Sequence, residues 1–351
     1  MLRRSVRDLL TSTWPGDRAV ENAANRDAIS TVWAAMARQG LASLGSRAAD
    51  VGLREIVLVS EELGRASCPA PLLGAFAANL ALAAHTSNAA KAFLADVHRG
   101  DATVALALGG FDGDAAAGGV VVRDGSLHGT LSFVEGAQTA THHLIFIDTP
   151  GGVAVVTADA PGATVRATPG LAVPPLCELA FANTPALCLG LPSESLADIA
   201  LAARLACAGR ALGAARRGFD LAVEHAKVRK QFGQFIGQFQ AIQHKLADCL
   251  INLDGARLAI EAAADAFDRA DPAWRVFANA AIAFAGPAVR AASVETHRAL
   301  GAIGYAEEHE APRHFRRVHV DLARFGGVQR ARAQLADFLL GPAETKSGGT
   351  A

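Results

Sequence analysis

The chain has 351 residues, 51% of them apolar, and a formal net charge of −1. That length can fill the cores of two or three domains, and a balanced charge with no basic stripe excludes nucleic acid as the expected partner. The five cysteines, Cys68, Cys177, Cys188, Cys207 and Cys249, are scattered without C-x-x-C pairing, which argues against a disulfide framework or a metal site and for buried thiols in a reducing cytoplasm.

Arg3, Arg4 and Arg7 open the chain, but Asp8 and Asp17 interrupt the positive run and no apolar h-region follows. The segment reads as a first amphipathic helix and not as a targeting peptide. Residues 28–40 and 53–65 carry apolar positions at helical spacing, with Gly40 and Gly64 placed as stops. Residues 73–84 and 89–98 continue the pattern, giving a helical domain over 1–100. The most apolar stretch, 75–84, is too short to cross a bilayer, so no membrane span is expected. Over 101–190 the texture changes to short β-rich runs, Val120-Val121-Val122, Leu144-Ile145-Phe146-Ile147 and Val153-Ala154-Val155-Val156. Asp124-Gly125 and Pro150-Gly151-Gly152 are turn signals between them, and the whole reads as a small β domain. From Ser193 helices return: Leu201, Leu205, Ala208, Leu212, Ala215 and Phe219 recur by three and four. Similar patterns follow over 235–268, 273–300 and 326–340, which makes a four-helix bundle over 191–343. The polar tail, 344–351, is expected to be disordered.

The most specific stretch lies where the second bundle helix begins. Arg229-Lys230-Gln231-Phe232-Gly233 is followed by Phe239-Gln240-Ala241-Ile242-Gln243-His244-Lys245-Leu246-Ala247-Asp248, where Phe239, Ile242, Leu246, Leu250 and Leu253 mark one helix face. An Arg beside a helix start offers a fixed positive fork and free backbone N–H groups, which suits a diphosphate. A second run, Gly301-Ala302-Ile303-Gly304-Tyr305 then Glu308-His309, has glycines that let backbone approach a dinucleotide closely.

These runs, in the order helices, β domain, helical bundle, resemble the acyl-CoA dehydrogenase family. In particular the chain resembles the base-lacking subunit of its heterotetrameric bacterial members of the steroid side-chain type. The resemblance implies a mainly α fold with a central β domain: an N-terminal helical domain, a small β-barrel domain and a C-terminal four-helix bundle. It implies FAD as cofactor, held across a subunit interface with Arg229 on the diphosphate, Phe232 against the cofactor and Gln240 hydrogen-bonded to it. Gln231, Gly233, Arg298 and Gly301 are the further contacts so implied, although Arg298 stands where the family writes Gln and Ala302 where it writes a second Gly. Arg204 matches a family Arg near the acyl-CoA site; from its own surroundings it is as well an ion-pair partner for Asp198 or Glu194. Read alone, Arg229 would be a helix cap and Phe232 ordinary core. Phe133 matches weakly the aromatic that covers the flavin and is read as core. The acids Glu307, Glu308 and Glu310 read as a solvated loop cluster.

What the chain lacks is as informative. The family's reaction removes a weakly acidic α-proton from a thioester, and a positioned carboxylate base contributes roughly 10²- to 10⁴-fold to such a step. One family position for that base falls on Gly327, in a run from Leu322 to Arg330 that holds no carboxylate. The other falls on Ala203, in a run from Ile199 to Cys207 that holds none either. No catalytic residue is assigned. The Thr and Ser donors of the family's flavin-ring loop are also missing from Gly109-Gly110-Phe111-Asp112-Gly113-Asp114.

Three readings stay open. The chain is a cytoplasmic subunit of a FAD-dependent acyl-CoA dehydrogenase whose related partner chain carries the base. Alternatively it is self-sufficient, with Asp321 or Glu308 as a relocated base, or it is a non-catalytic CoA-binding scaffold. The resemblance further implies an acyl-CoA substrate, an electron-transfer flavoprotein as electron acceptor, and a hetero- or homo-oligomeric assembly; no metal is expected.

Overall fold

The computed structural model describes residues 1–46, 52–83, 85–109, 118–147 and 151–341. The expectations for Pro150, for the loop from Gly110 to Asp114 and for the 344–351 tail lie outside these described residues.

Six helices open the chain: α1 (Leu2–Thr13), α2 (Ala19–Asn22), α3 (Arg26–Arg38), α4 (Leu53–Arg65), α5 (Leu72–Leu82) and α6 (Asn88–Arg99). Asn25 starts α3 by accepting from the N–H groups of Asp27 and Ala28 at 2.9 and 3.1 Å, satisfying two of the donors a helix start leaves free. Gly40 ends that segment at φ 79°, as its composition predicts. Gly64 does something else. It lies inside α4, and a Cβ there would stand 1.8 Å from the Arg210 carbonyl oxygen. Its counterpart Gly213 would bring a Cβ within 1.8 Å of the Glu61 oxygen. The two glycines let α4 and the helix carrying Arg210 cross backbone to backbone, so the expected helix stop is a packing contact.

The β domain runs from β1 (Val104–Ala107) through β2 (Gly118–Arg123), β3 (Ser126–Glu135), β4 (His142–Ile147), β5 (Gly152–Thr157), β6 (Ala163–Ala167) and β7 (Leu176–Pro185) to β8 (Leu187–Leu189). It forms two four-stranded sheets, ordered β1-β4-β5-β8 and β2-β3-β7-β6. Their facing residues share one apolar core, in which Ile145, Ala154 and Val156 of the first meet Val120, Leu131 and Leu179 of the second, as a small β domain between the two helical parts requires. Asp124 and Gly125, at φ 49° and 75°, make the two-residue turn between β2 and β3 that their sequence signals. The first sheet is buried on both faces. Its Ala105, Ile145, Ala154 and Val156 meet the second sheet, while Leu106, Leu144, Phe146 and Val153 point the other way into the helical core. Period-two alternation, with both faces apolar, thereby docks the β domain onto the helices.

The C-terminal part holds α7 (Ser193–Val228), a short hairpin of β9 (Lys230–Gln231) and β10 (Gln234–Phe235), α8 (Gln240–Asp268), α9 (Trp274–Leu300), α10 (Ala311–Ala323) and α11 (Gly327–Leu340). Three of the four expected helices end near their expected bounds, but α8 starts at Gln240 because Phe239 is extended (φ −80°, ψ 127°). α10 was not foreseen. Its buried face carries His314, Arg317 and Asp321 between the apolar Ala311, Val318 and Leu322, so charge interrupts the stripe that would have announced it. Among the described residues, Trp274–Tyr305 is long and apolar enough to cross a membrane; here α9 packs against α7, α8 and α11, half buried.

Candidate cofactor surface and adjoining cavity

α7 ends at Arg229, whose N–H donates to the His225 carbonyl at 2.9 Å while its own carbonyl accepts from Ile236 N at 2.8 Å. Those bonds clamp the base of the β9–β10 hairpin. Its tip is Phe232 at φ 52° followed by Gly233 at φ 84°, the pair of left-handed residues a two-residue hairpin turn needs. A left-handed conformation is costly for an aromatic residue, on the order of 1 kcal/mol. Even so, the ring is held out from the protein at 92% exposure, with the Phe239 ring edge-on at 6.3 Å. The core reading of Phe232 is thereby overturned. Arg229, Gln231, Gly233 and Gln240 are exposed beside it. Among the described residues neither the Arg229 guanidinium nor the Gln240 amide makes a hydrogen bond, so Arg229 caps nothing with its side chain. α8 also starts without a side-chain cap, leaving N–H groups of its first turn unpaired.

Arg298 and Gly301 stand at the far end of α9, both exposed. Glu295 receives Lys245 of α8 at 3.1 Å and also pairs with Arg298, which sets Arg298 alongside the N-terminal half of α8. Gly301 turns the chain at φ 62°, ψ −141°, with nothing within 4 Å of a Cβ added there. All seven residues are exposed, and the Lys245–Glu295 contact joins the helix that follows the hairpin to the last turns of α9.

A cavity of 380 Å³ lies between β1, β3 and α10, walled by Leu106, Phe133, Leu176, His319, Arg324 and Phe325 among others. Phe133 reaches it because β3 carries a bulge between Leu131 and Val134 and the ring residue takes φ 63°. It is 43% exposed, which corrects the core assignment. Among the described residues no carboxylate lines this cavity.

Beneath it lies a charge cluster that the sequence reading missed. Glu135 of β3 bonds Arg210 at 2.6 Å and also pairs with Arg317 and Arg324, while Asp321 takes Arg210 at 2.7 and 2.8 Å and Arg317 at 3.5 Å. Burial pushes the Glu135 carboxyl up, but the guanidiniums of Arg210, Arg317 and Arg324 outweigh it and hold it well below the usual carboxylate range. Burial pushes the adjacent Cys207 thiol up to about 11, so it stays neutral. A signal existed: His314, Arg317, Asp321 and Arg324 follow one another by three and four, the spacing of a helix face written in charge.

Both expected base positions are closed. Ala203 is fully buried in α7. Gly327 sits at φ 52°, where a Cβ would come within 2.4 Å of the Leu322 oxygen. Arg204, 3% exposed, donates to the Phe325 carbonyl at 2.7 Å and to Gln334 at 3.0 Å, holding the α10–α11 corner. The ion pair expected for it belongs to Arg275, which bonds Asp198 at 2.6 Å and Glu194 at 2.7 Å. Of the three clustered acids, Glu310 is not solvated: it pairs with Arg217, Arg313 and His314.

Comparison with known proteins follows the same lines. Residues 199–340 match the family model described as acyl-CoA dehydrogenase, C-terminal domain. Acyl-CoA dehydrogenase IpdE2 of Mycobacterium tuberculosis is 33% identical over 270 residues, covering 76% of this chain and 72% of that protein. A 3-sulfinopropanoyl-CoA desulfinase of Paraburkholderia xenovorans is 32% identical over 234 residues, 61% and 60% of the two chains. Among solved structures, the Tcur3481-Tcur3483 steroid ACAD superposes with a TM-score of 0.85 at 27% identity, covering 96% of each chain. The ChsE4-ChsE5 complex of Mycobacterium tuberculosis superposes at 0.79 over 98% of each chain, and at 21% identity it speaks to the fold alone.

Proposed function

Because the chain belongs to the acyl-CoA dehydrogenase family, a family of FAD-dependent oxidoreductases, we propose that it is the non-catalytic subunit of a heteromeric member. In this reading it completes the FAD site of a related partner chain that carries the catalytic carboxylate. The observation that carries the proposal is the hairpin tip: Phe232 stands 92% exposed in a left-handed conformation, beside an Arg229 that has no side-chain partner among the described residues. A protein gains nothing for its own stability from that arrangement. A neighbour's cofactor would gain a ring to lie against, a guanidinium and uncapped helix N–H groups for its diphosphate, and the Gln240 amide.

The residues fit such a group. Arg229, the Phe232–Gly233 turn and Gln240 bind and orient it; Arg298 and Gly301 extend the same surface. Bound there, FAD would supply the acceptor for the hydride lost from the β-carbon of the acyl-CoA. Removal of the α-proton is left to the partner, since this chain offers no carboxylate at Ala203 or Gly327. Asp321 does not replace it: both its oxygens are taken by Arg210. Glu308 is an exposed residue on the solvent side. A bulky CoA thioester of the steroid type is the substrate this reading favours, by analogy with the Tcur3481-Tcur3483 structure, with an electron-transfer flavoprotein as acceptor.

The test is FAD content per chain, by absorbance and protein mass, for the chain alone and co-expressed with a related chain that bears the carboxylate. The lone chain is expected to be flavin-free and the complex to hold one FAD for each pair of chains. Arg229→Ala is expected to empty the complex of flavin while leaving the melting temperature of the lone chain unchanged. A lone chain that binds FAD fully and oxidises an acyl-CoA overturns the proposal; a complex that never binds flavin points to the scaffold reading.

A further inference from the structure

The buried cluster beneath the 380 Å³ cavity does not balance. Three guanidiniums, Arg210, Arg317 and Arg324, face two carboxylates, Glu135 and Asp321, and the neutral Cys207 thiol adds no negative charge. Arg210 spends its donors on both acids, and Arg317 spends its own on Glu135, Asp321 and the Val173 carbonyl. Arg324 is different. Its side chain is 5% exposed, and only Nη1 is engaged, toward Glu135 and Cys207. Its Nε is buried without a hydrogen-bond partner, and no described residue accepts from Nη2. A buried guanidinium with unspent donors is expensive unless something pairs with it.

That same Arg324 forms part of the cavity wall, under Phe133 and next to Phe325, whose ring lies 4.4 Å from the guanidinium carbon. The other polar groups there are Ser132 and His319. His319 donates Nδ1–H to the Phe315 carbonyl at 2.9 Å, which leaves Nε2 an acceptor with no hydrogen-bond partner among the described residues. An apolar chamber of this size with a few convergent polar groups has the character of a small-molecule site.

We propose that this cavity binds an apolar carboxylic acid, or an acyl group ending in a carboxylate, with the carboxylate seated on the unspent Arg324 donors above the Glu135 cluster. The inference rests on the reading that the chain does not seat a flavin ring of its own. The carboxylate supplies the negative charge the cluster lacks, and the aliphatic or ring body fills the space between Leu106, Phe133 and Leu176. The site is a binding site only; no bond is made or broken there, and among the described residues no carboxylate, thiol or lysine lines it.

The experiment is calorimetric titration of the full-length chain with 4-phenylbutyrate and with its neutral isostere 4-phenylbutyramide. The acid is expected to bind one per chain and at least tenfold more tightly than the amide, the preference a charge-assisted contact gives. Arg324→Gln should erase the preference by weakening the acid alone. Should that variant misfold, Leu171→Trp decides: Leu171 lies on the cavity lining yet is 67% exposed, so the larger ring blocks the chamber without disturbing the core, and acid binding should be lost. Equal binding of acid and amide, no binding of the acid, or acid binding that survives these substitutions overturns the inference. FAD is titrated as a competitor. If it displaces the acid, the cavity seats a flavin and the subunit proposal fails too; if the acid fails to bind while the co-expressed complex carries FAD, only this inference falls.

Discussion

Gly327 shows how far one residue can decide a role. The sequence marks it as the place where a catalytic carboxylate is expected and absent, and leaves open whether a nearby acid could serve. The backbone bears on the position itself: at φ 52° a Cβ there would stand 2.4 Å from the Leu322 oxygen. Restoring the side chain should therefore not restore the chemistry. Gly327→Glu is expected to lower stability by roughly 1–3 kcal/mol, through the left-handed backbone and the contact with Leu322, and to confer no acyl-CoA oxidation on the lone chain. Thermal unfolding and a dye-reduction assay check the two halves. Phe232 makes the converse point: the resemblance implies a cofactor contact there and residue type alone suggests core, and only the structure shows the ring standing clear of its own chain.

Among the helices of the bundle, α10 is the one the sequence reading passed over, and it positions the cavity. Helix prediction relies on an apolar stripe, and this helix interleaves its buried Ala311, Val318 and Leu322 with His314, Arg317 and Asp321. Those charges are tolerable only because β3 brings Glu135 and α7 brings Arg210 to meet them, partners far apart in sequence. The cluster is thus a joint between the β domain and the bundle. Glu135→Gln leaves three buried guanidiniums facing one acid and is expected to cost about 3–5 kcal/mol, read as a lower denaturation midpoint. α4 and α7 show an opposite case. Their close crossing was written in the sequence as Gly64 and Gly213, but a lone glycine near a helix end reads more simply as a stop, and only the crossing geometry tells the two apart.

For the whole molecule, the buried histidines make stability depend on pH. His314 is enclosed between Ser67, 3.0 Å from its Nδ1, and Glu310. Burial, partly offset by Glu310, lowers its pKa from 6.5 to about 4, and burial likewise lowers those of His143 and His297. Between pH 6.5 and 4 the unfolded chain takes up a proton that the folded His314 refuses. Its contribution is therefore complete above pH 6.5 and is lost as pH falls toward 4. The loss is on the order of 3 kcal/mol for this residue. Chemical denaturation at neutral and mildly acid pH should show wild type weakening and His314→Gln weakening less; parallel losses in the two proteins would refute the assignment.

By itself the sequence determined the order of helices, β strands and helices, the family, and the motif from Arg229 to Asp248 that resembles the family's, because these are written in local periodicity and contiguous residue types. The tertiary structure alone decided which side chains are spent and which are not. Arg204 holds a corner, Arg275 takes the acids expected for Arg204, Phe133 leaves the core for a cavity, and Arg324 keeps donors in reserve. Such facts depend on partners brought together from distant parts of the chain, and hydrogen bonds and charge pairs of that kind leave no local pattern to read.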